Sequence, residues 1–159
     1  MNTLADEISK HHDTDDWSID RETFAYIQTR FGTLEIDRFA SSSNKMVPRF
    51  DARFHCPEAE TINTFTADWG TDFNWLCPPV SLVGNALKHA KICRAKCILF
   101  VPEWKSSYFW PLLTPDGETF YPFVKEFELL DPYYFKDPKL RTVFKGLARF
   151  RGLALLIQF

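Results

Sequence analysis

Glycine is scarce in this sequence, which has 6 glycines among 159 residues and no Gly-rich loop. The P-loop, the Gly-x-Ser-x-Gly turn and the His-Glu-x-x-His helix motif are also absent, so no signature of a nucleotide hydrolase, a serine hydrolase or a zinc protease is present. No stretch of about 18 apolar residues occurs, and we therefore predict no membrane-spanning helix and no membrane partner. The polar and acidic first residues do not form a secretory signal peptide.

Charge and cysteine content place further limits on function. The net charge is -2 and the pI is about 6.1. The chain as a whole therefore does not attract a phosphate backbone, and any contact with DNA or RNA needs a local basic patch. The four cysteines do not form the paired motifs of a zinc site. They indicate reduced thiols, which predicts an intracellular protein, in the cytoplasm or the nucleus, without a metal centre.

The hydrophobic pattern predicts a single domain of the α/β class. A helix is predicted from Asp20, a helix-capping residue, to Gly32, and a short strand follows over residues 33–37. Residues 73–76 form a second strand, which ends at two prolines because proline cannot donate to a β-ladder. After a helix with an apolar stripe, residues 97–101 form an apolar strand of the kind buried on both faces of a parallel sheet. We therefore predict a mostly parallel, Rossmann-like sheet flanked by helices.

The second half of the chain has a less regular pattern. It predicts a short aromatic helix over residues 106–113, a strand over residues 120–129 and an edge strand over residues 153–159. Because the chain ends within this last apolar run, we expect either that the native polypeptide continues or that the gene was truncated.

The segment between the second strand and the helix after it reads Leu-Cys-Pro-Pro-Val. It falls at the carboxyl end of a strand, where open α/β sheets bind their ligands. It resembles the Asp/Asn-Pro-Pro-Tyr/Phe turn of amino-methyltransferases. In that turn the first side chain and a proline carbonyl accept hydrogen bonds from the target amine, and the aromatic ring stacks on the flipped base. The four positions are held here by Cys77, Pro78, Pro79 and Val80. Cysteine is a weak acceptor and valine has no aromatic face, so the alternative is a turn that only ends the strand.

The order of several other segments extends this resemblance. They are residues 34–41, Asn44, Ala67-Asp68-Trp69, residues 98–104 and Phe109-Trp110-Pro111. In this order the chain resembles the phage-type DNA N6-adenine methyltransferase domain that lies downstream of ribonuclease H in DIRS-like, tyrosine-recombinase retrotransposons. The resemblance covers residues 17 to about 113 and, more weakly, the rest. Residues 17–159 are therefore predicted to form a methyltransferase-like domain.

The resemblance implies a cofactor and a site for it. S-adenosylmethionine would lie at the end of the first strand, near Asp37, Phe39 and Ala40, because its ammonium group favours a carboxylate. Asp68 is a candidate contact to the ribose. The alternatives are that Asp37 caps the loop after the strand and that Asp68 is a solvated turn residue. Since the Gly-rich cofactor loop of better-known methyltransferases is absent and the Pro-Pro turn is degenerate, we predict a domain without catalytic activity.

The first residues carry a second resemblance. Residues 2–9 resemble the final segment of a retroelement ribonuclease H, in which an Asn precedes an Ala-Asp pair. By this resemblance Asp6 would be the last metal-binding carboxylate of a two-metal nuclease, whose other carboxylates would lie upstream. Residues 1–16 are therefore predicted to be the tail of a ribonuclease H domain and a linker. Reverse transcriptase, ribonuclease H and recombinase domains would then be neighbours in one polyprotein.

Two clusters leave the kind of partner open. A basic stretch either meets phosphate or forms a solvated helix face; it consists of Lys88, Lys91, Arg94 and Lys96. An aromatic run either stacks on bases or belongs to the core; it consists of Trp104, Tyr108, Phe109 and Trp110. The alternative function is therefore a non-catalytic module that binds nucleic acid or docks neighbouring polyprotein domains.

Overall fold

The computed structural model describes residues 19–131 and 151–159, which build a seven-stranded sheet flanked by helices. The helices are α1 (Arg21–Phe31), α2 (Val83–Cys93) and the short α3 (Trp110–Leu113), with 3-10 turns at Thr64–Thr66 and Val80–Leu82. The strands are β1 (Ile36–Ala40), β2 (Phe50–Ala52), β3 (Thr61–Ile62), β4 (Phe73–Leu76), β5 (Lys96–Pro102), β6 (Val124–Leu130) and β7 (Gly152–Gln158). Their order across the sheet is β3-β2-β1-β4-β5-β7-β6. The predicted α/β class is confirmed. None of the helices in these two ranges is long and apolar enough to cross a membrane.

Helix α1 begins and ends where the sequence predicts. The Asp20 carboxylate accepts a hydrogen bond from the Thr23 N–H at 2.7 Å, which caps the first turn. Gly32 ends the helix with a φ of 119°, a conformation that strains residues with a Cβ. Phe24 is buried and meets Trp75 edge to face at 5.0 Å between ring centroids, so α1 covers the face of the sheet to which Trp75 points.

Strands β1 to β5 are parallel to one another, as predicted for most of the sheet. Strand β1 pairs with β2 on one side and with β4 on the other, and β4 pairs with β5. The predicted second strand coincides with β4, whereas β5 extends one residue beyond the prediction at each end. Residues 97–101 are fully buried, as expected for a central strand covered on both faces.

The last two strands are antiparallel, and one prediction about them is wrong. Residues 153–159 were expected to form an edge strand, but β7 lies inside the sheet, between β5 and β6. The physical reason is visible in the burial: Leu153, Ala154, Leu155 and Ile157 are all inaccessible to solvent, so this strand is covered on both faces. Strand β6 is the outer one and begins at Val124, later than the predicted residue 120.

Other boundaries differ because short segments carry little periodicity. The strand predicted over residues 33–37 begins only at Ile36, since the Leu34 N–H donates to the Gln28 side chain and residues 33–35 form a connection. The helix predicted over residues 106–113 is reduced to α3, and turns precede it. Strands β2 and β3 were not predicted, because three and two residues are too few to show an alternation.

A buried polar network joins β1, β2 and β4. The Arg38 guanidinium, 4% exposed, donates to the Asp51 carboxylate at 2.9 Å and to the Asn74 side-chain oxygen at 2.7 Å. It also lies 3.4 Å from the Asp72 carboxylate. Thr64 donates to the same Asp51 oxygen at 2.7 Å. Buried charges are tolerated only when they are paired and hydrogen-bonded, so the network fixes these three strands relative to one another.

Candidate functional site

A cleft lies at the point where the strand order of the sheet reverses. From β1 the chain builds outward to β2 and β3, and it then returns to the other side of β1 to build β4 and β5. Crevices at the carboxyl ends of strands at such a reversal are the usual ligand sites of open α/β sheets. The cleft is small and partly open to solvent, with a cavity of about 20 Å³ at its floor, room for a group the size of a water molecule. It is lined by Ile19, Asp37, Phe39, Asn44, Met46, Trp75 and Cys77.

Asp37 is the charged residue of the cleft. Its side chain is 2% exposed, and its two carboxylate oxygens accept hydrogen bonds from the Met46 N–H at 3.0 Å and the Phe39 N–H at 3.2 Å. Burial raises the pKa of Asp37 to about 7, although the two backbone donors act in the opposite direction. Asp37 therefore does hold the loop after β1, as one sequence interpretation proposed, and it also faces the cleft.

The Asp37 carboxylate retains capacity for a ligand. Among residues 19–131 and 151–159, none forms an ion pair with it, and each oxygen accepts one backbone hydrogen bond out of about two possible. The other lining side chains are mostly apolar. One buried carboxylate in an apolar cleft is a donor set that fits a compact organic cation, such as the ammonium or sulfonium group of S-adenosylmethionine.

The Cys-Pro-Pro turn leaves β4 at the wall of this cleft. Cys77 is 8% exposed and lines the cleft, and both prolines after it are buried. Pro79 is extended, with φ of -51° and ψ of 145°, and its carbonyl accepts a hydrogen bond from the Leu82 N–H at 2.8 Å. The turn thus leads directly into the 3-10 turn and helix α2. Val80 is half-buried and packs against the core rather than presenting a flat surface.

Two further residues of the predicted site have different positions. Phe39 lines the cleft and packs against Phe65 and Trp69 at 5.8 Å and 6.0 Å between ring centroids. Ala40 ends β1 but does not line the cleft.

Asp68 lies away from the cleft. It precedes β4, at the amino end of the strand, and its carboxylate accepts a hydrogen bond from the Gly70 N–H at 2.8 Å while its side chain is exposed to solvent. The structure therefore brings together Asp37, Phe39 and Cys77 but does not bring Asp68 to them. Its arrangement is that of the solvated turn residue considered as the alternative.

The structure separates the aromatic run into core and surface. Phe109 and Trp110 are buried, and the Trp110 indole N–H donates to the Gly117 carbonyl at 3.1 Å. Tyr108, by contrast, is 53% exposed. Its hydroxyl donates to the Val80 carbonyl at 2.7 Å and accepts a hydrogen bond from the Gly84 N–H at 3.2 Å. The ring is thereby attached to the segment that follows the Pro-Pro turn.

The basic stretch is exposed but spread along the fold. Helix α2 runs from the carboxyl end of β4 back to the amino end of β5, so Lys88 lies nearer the cleft end than Arg94 or Lys96 do. Lys96 extends over the Phe73 ring at 4.5 Å. These side chains therefore do not form one patch beside the cleft.

Cysteine and metal chemistry add little at this site. All four cysteines are free thiols, and burial strongly raises the pKa of Cys97. Across the described ranges, no three His, Cys, Asp or Glu side chains come together as a metal site. Asp6, the ribonuclease H-like carboxylate, lies outside the described residues, as does the segment 1–16 that was assigned to a ribonuclease H tail and linker.

Sequence comparison identifies the family of this domain. Residues 7–118, more than two thirds of the chain, match the family described as DNA N-6-adenine-methyltransferase (Dam). The chain belongs to the Dam family. No curated protein matches it at a significant level. The Dam match contains the whole cleft, the Cys-Pro-Pro turn and Tyr108, and it confirms the methyltransferase resemblance predicted from the order of the sequence segments.

Sequence reasoning found part of this site and missed the rest. Asn44 was noted only for its place in the order of segments, and Met46 was not considered. The Arg38 network was also missed, although two consecutive charged residues within an apolar strand were a signal that at least one of them is paired in the interior.

Proposed function

We propose that this chain is a Dam-family domain that binds S-adenosylmethionine and DNA but has lost efficient methyl transfer to adenine. The observation that carries the proposal is the identity of the two side chains that flank the prolines. By the resemblance of the Cys-Pro-Pro turn, Cys77 and Val80 would stand where amino-methyltransferases have an amine acceptor and an aromatic ring. On this interpretation the chain keeps the scaffold of the site, while two of its chemical groups are replaced.

The ammonium end of the cofactor is proposed to bind in the cleft between β1 and β4, with the rest of the molecule across its mouth. Asp37 would bind its ammonium group, and the Trp75 and Met46 side chains would supply apolar contact to the rest of the molecule. When bound, S-adenosylmethionine supplies an electrophilic methyl group. The protein's own part would be to exclude water and to orient the target amine, because positioning contributes most of the rate in such direct transfers.

The replaced side chains account for the proposed loss of activity. A thiol is a weak hydrogen-bond acceptor, so Cys77 would hold an adenine amine less well than a carboxylate or an amide would. Val80 cannot stack on a base, and stacking on one aromatic ring is worth about 1–3 kcal/mol. An unmade hydrogen bond in a desolvated site costs about 1–3 kcal/mol more.

The first experiment is isothermal titration of the purified full chain with S-adenosylmethionine. We expect binding that is lost on Asp37→Ala and retained on Asp68→Ala, the matched control, because Asp68 is exposed at the opposite end of β4. If folded protein released no heat even at high cofactor concentration, the chain would not bind the cofactor, and the proposed function would be wrong.

The second experiment restores the missing groups. The double variant Cys77→Asn with Val80→Tyr should transfer methyl groups to adenine in DNA faster than the unmodified chain, measured by mass spectrometry of N6-methyladenine in digested DNA. The control is Cys77→Ser with Val80→Ile, which changes both positions without supplying an amide or an aromatic ring. Equal activity of the two double variants would argue against the proposal.

A second candidate is a non-catalytic module that binds nucleic acid. It is favoured by the exposed Tyr108 ring, together with the exposed Lys88 and Lys91 on α2. Such a module would bind DNA or RNA with an affinity that falls steeply with salt concentration and does not change when S-adenosylmethionine is added. A cofactor-dependent increase in DNA affinity would favour the methyltransferase-derived function.

The genomic setting forms a separate part of the proposal. We propose that the chain is encoded within a DIRS-like retroelement, with reverse transcriptase and ribonuclease H domains upstream and a recombinase as a further partner domain. The order of the sequence segments and the Asn2-to-Asp6 resemblance support this setting. Full-length sequencing of the transcript tests it: the expected result is an upstream ribonuclease H in the same reading frame.

A further inference from the structure

Tyr108 is the exposed aromatic ring nearest in the chain to the carboxyl end of β5. Because β4 and β5 are parallel neighbours, the loop after β5 and the Cys-Pro-Pro turn after β4 emerge at the same edge of the sheet. The two hydrogen bonds of the Tyr108 hydroxyl, to Val80 and from Gly84, join these two segments directly.

The ring is held in a fixed orientation. Its hydroxyl is engaged at both sides, and its Cε2 atom lies 3.4 Å from the position that a Cβ on Gly84 would occupy, so the edge of the ring rests on the first turn of α2. Phe109 meets it edge to face at 5.7 Å between ring centroids. A ring that is fixed before a ligand arrives loses little conformational entropy on binding, yet 53% of this side chain is open to solvent.

We infer that Tyr108 provides the surface on which a nucleobase of a DNA strand stacks beside the Pro78-Pro79 turn, in place of the aromatic ring that Val80 lacks. The hydroxyl of Tyr108 holds the backbone of Val80, so the ring lies next to the position it replaces. Lys88 lies one helical turn after Gly84 on the exposed part of α2, at a position suited to a backbone phosphate. This inference rests on the proposed DNA-directed function and names a residue that binds the base.

The test compares single-stranded DNA of about 12 nucleotides carrying one central adenine among thymines with the same strand carrying an abasic site at that position. Binding to the full chain is measured by fluorescence anisotropy of a labelled end. Tyr108→Leu should weaken binding of the adenine strand by about fivefold to about 150-fold, the equivalent of ~1–3 kcal/mol for one stacked base at 1.4 kcal/mol per tenfold change. It should change binding of the abasic strand much less.

Two variants serve as controls. Tyr108→Phe keeps the ring but removes the two hydrogen bonds that fix its orientation, so it should bind the adenine strand less tightly than the unmodified chain and more tightly than Tyr108→Leu. Phe127→Leu removes another exposed aromatic ring, on β6, away from the turn, and should bind normally. Circular dichroism of each variant verifies folding.

A crosslinking measurement on the unmodified chain gives an independent test. A strand with 5-iodouracil in the central position should, on irradiation, form its adduct at Tyr108, located by mass spectrometry. If the chain binds DNA but Tyr108→Leu binds both strands unchanged, or the adduct forms elsewhere, this inference is wrong while the proposed function stands. If the unmodified chain binds neither strand, both fail.

Discussion

Asp37 and Arg38 are consecutive residues of β1, and both are buried, yet their surroundings differ completely. Arg38 has an ion pair with Asp51, a hydrogen bond to Asn74 and a second carboxylate, that of Asp72, within 3.4 Å. Asp37 has two backbone N–H donors and, within the described ranges, no cationic partner. The charge of Arg38 is compensated within the protein, whereas the charge of Asp37 is not.

The difference separates a structural charge from a candidate binding group. A compensated buried charge ties strands together, and removal of its partner is costly. An uncompensated one keeps a perturbed pKa and has affinity for a ligand of opposite charge, and such groups concentrate at functional sites. Burial alone therefore does not distinguish the two residues; the partners around each side chain do.

The largest expected effect comes from replacing Arg38, the residue whose charge is compensated. Arg38→Met leaves the Asp51 carboxylate, which is fully buried, without its cation. We expect the free energy of unfolding to fall by about 3–5 kcal/mol, measured by urea denaturation. Adding Asp51→Leu to this variant should recover part of the loss, because the remaining buried charge is then removed.

The matched control for Arg38 is Arg49, which also binds Asp72. Arg49 is 44% exposed and pairs with Glu60 at 3.0 Å. Arg49→Met should lower the free energy of unfolding by less than about 1 kcal/mol, since exposed ion pairs contribute little. Losses of equal size in the two variants would show that the Arg38 network does not stabilise the protein more than a surface pair does.

The second effect is the change of the free energy of unfolding with pH that Asp37 causes. Its pKa in the folded protein is raised to about 7, above the value of about 3.9 in an unfolded chain. Its contribution is therefore present at low pH and is lost as the pH rises through about 7. The expected size is on the order of a few kcal/mol, at about 1.4 kcal/mol for each unit of pKa difference.

Asp37→Asn isolates this contribution. Unfolding curves at a series of pH values should show the variant less stable than the unmodified chain near pH 5 and equal to it or more stable near pH 8. The control is Asp68→Asn, which makes the same substitution at an exposed position outside the cleft. Parallel curves for the unmodified chain and Asp37→Asn would mean that Asp37 titrates like an exposed carboxyl.

A third effect concerns the ligand proposed for Asp37, the residue whose charge is not compensated. If Asp37 binds the cofactor ammonium group, it must be ionised to do so, and a pKa of about 7 makes the ionised fraction increase with pH. The affinity for S-adenosylmethionine should therefore rise severalfold between about pH 6 and pH 7.5, in proportion to the competent fraction. Isothermal titration at both pH values measures it. Asp37→Asn should bind weakly and equally at both, and a pH-independent affinity of the unmodified chain would contradict this assignment.

Some features of the fold and of the candidate site could be predicted from the sequence, and others could not. Helix α1, β4 and β5 were predictable because the Asp20 cap, the two prolines and an apolar run each act locally. The inward position of β7 was not, because pairing partners are set by the whole sheet. Asp37 was predicted as a candidate site residue from the family resemblance, and it lines the cleft. The pairing of Arg38 with Asp51 depends on strand β2, which is too short to predict.

The smallest expected effect, with the opposite dependence on pH, is that of Asp72. The Arg49 guanidinium lowers the pKa of Asp72, so the stability that this carboxylate contributes is present above its unfolded value and is lost as the pH falls through the lowered one. Asp72→Asn should cost roughly 1 kcal/mol near pH 7 and less near pH 3, measured by urea denaturation, whereas Glu60→Gln, on the more exposed side of Arg49, should cost less. If the stability cost of Asp72→Asn increased on acidification, Asp72 would show the pH dependence expected for Asp37. The two carboxylates would then not differ as their different partners predict.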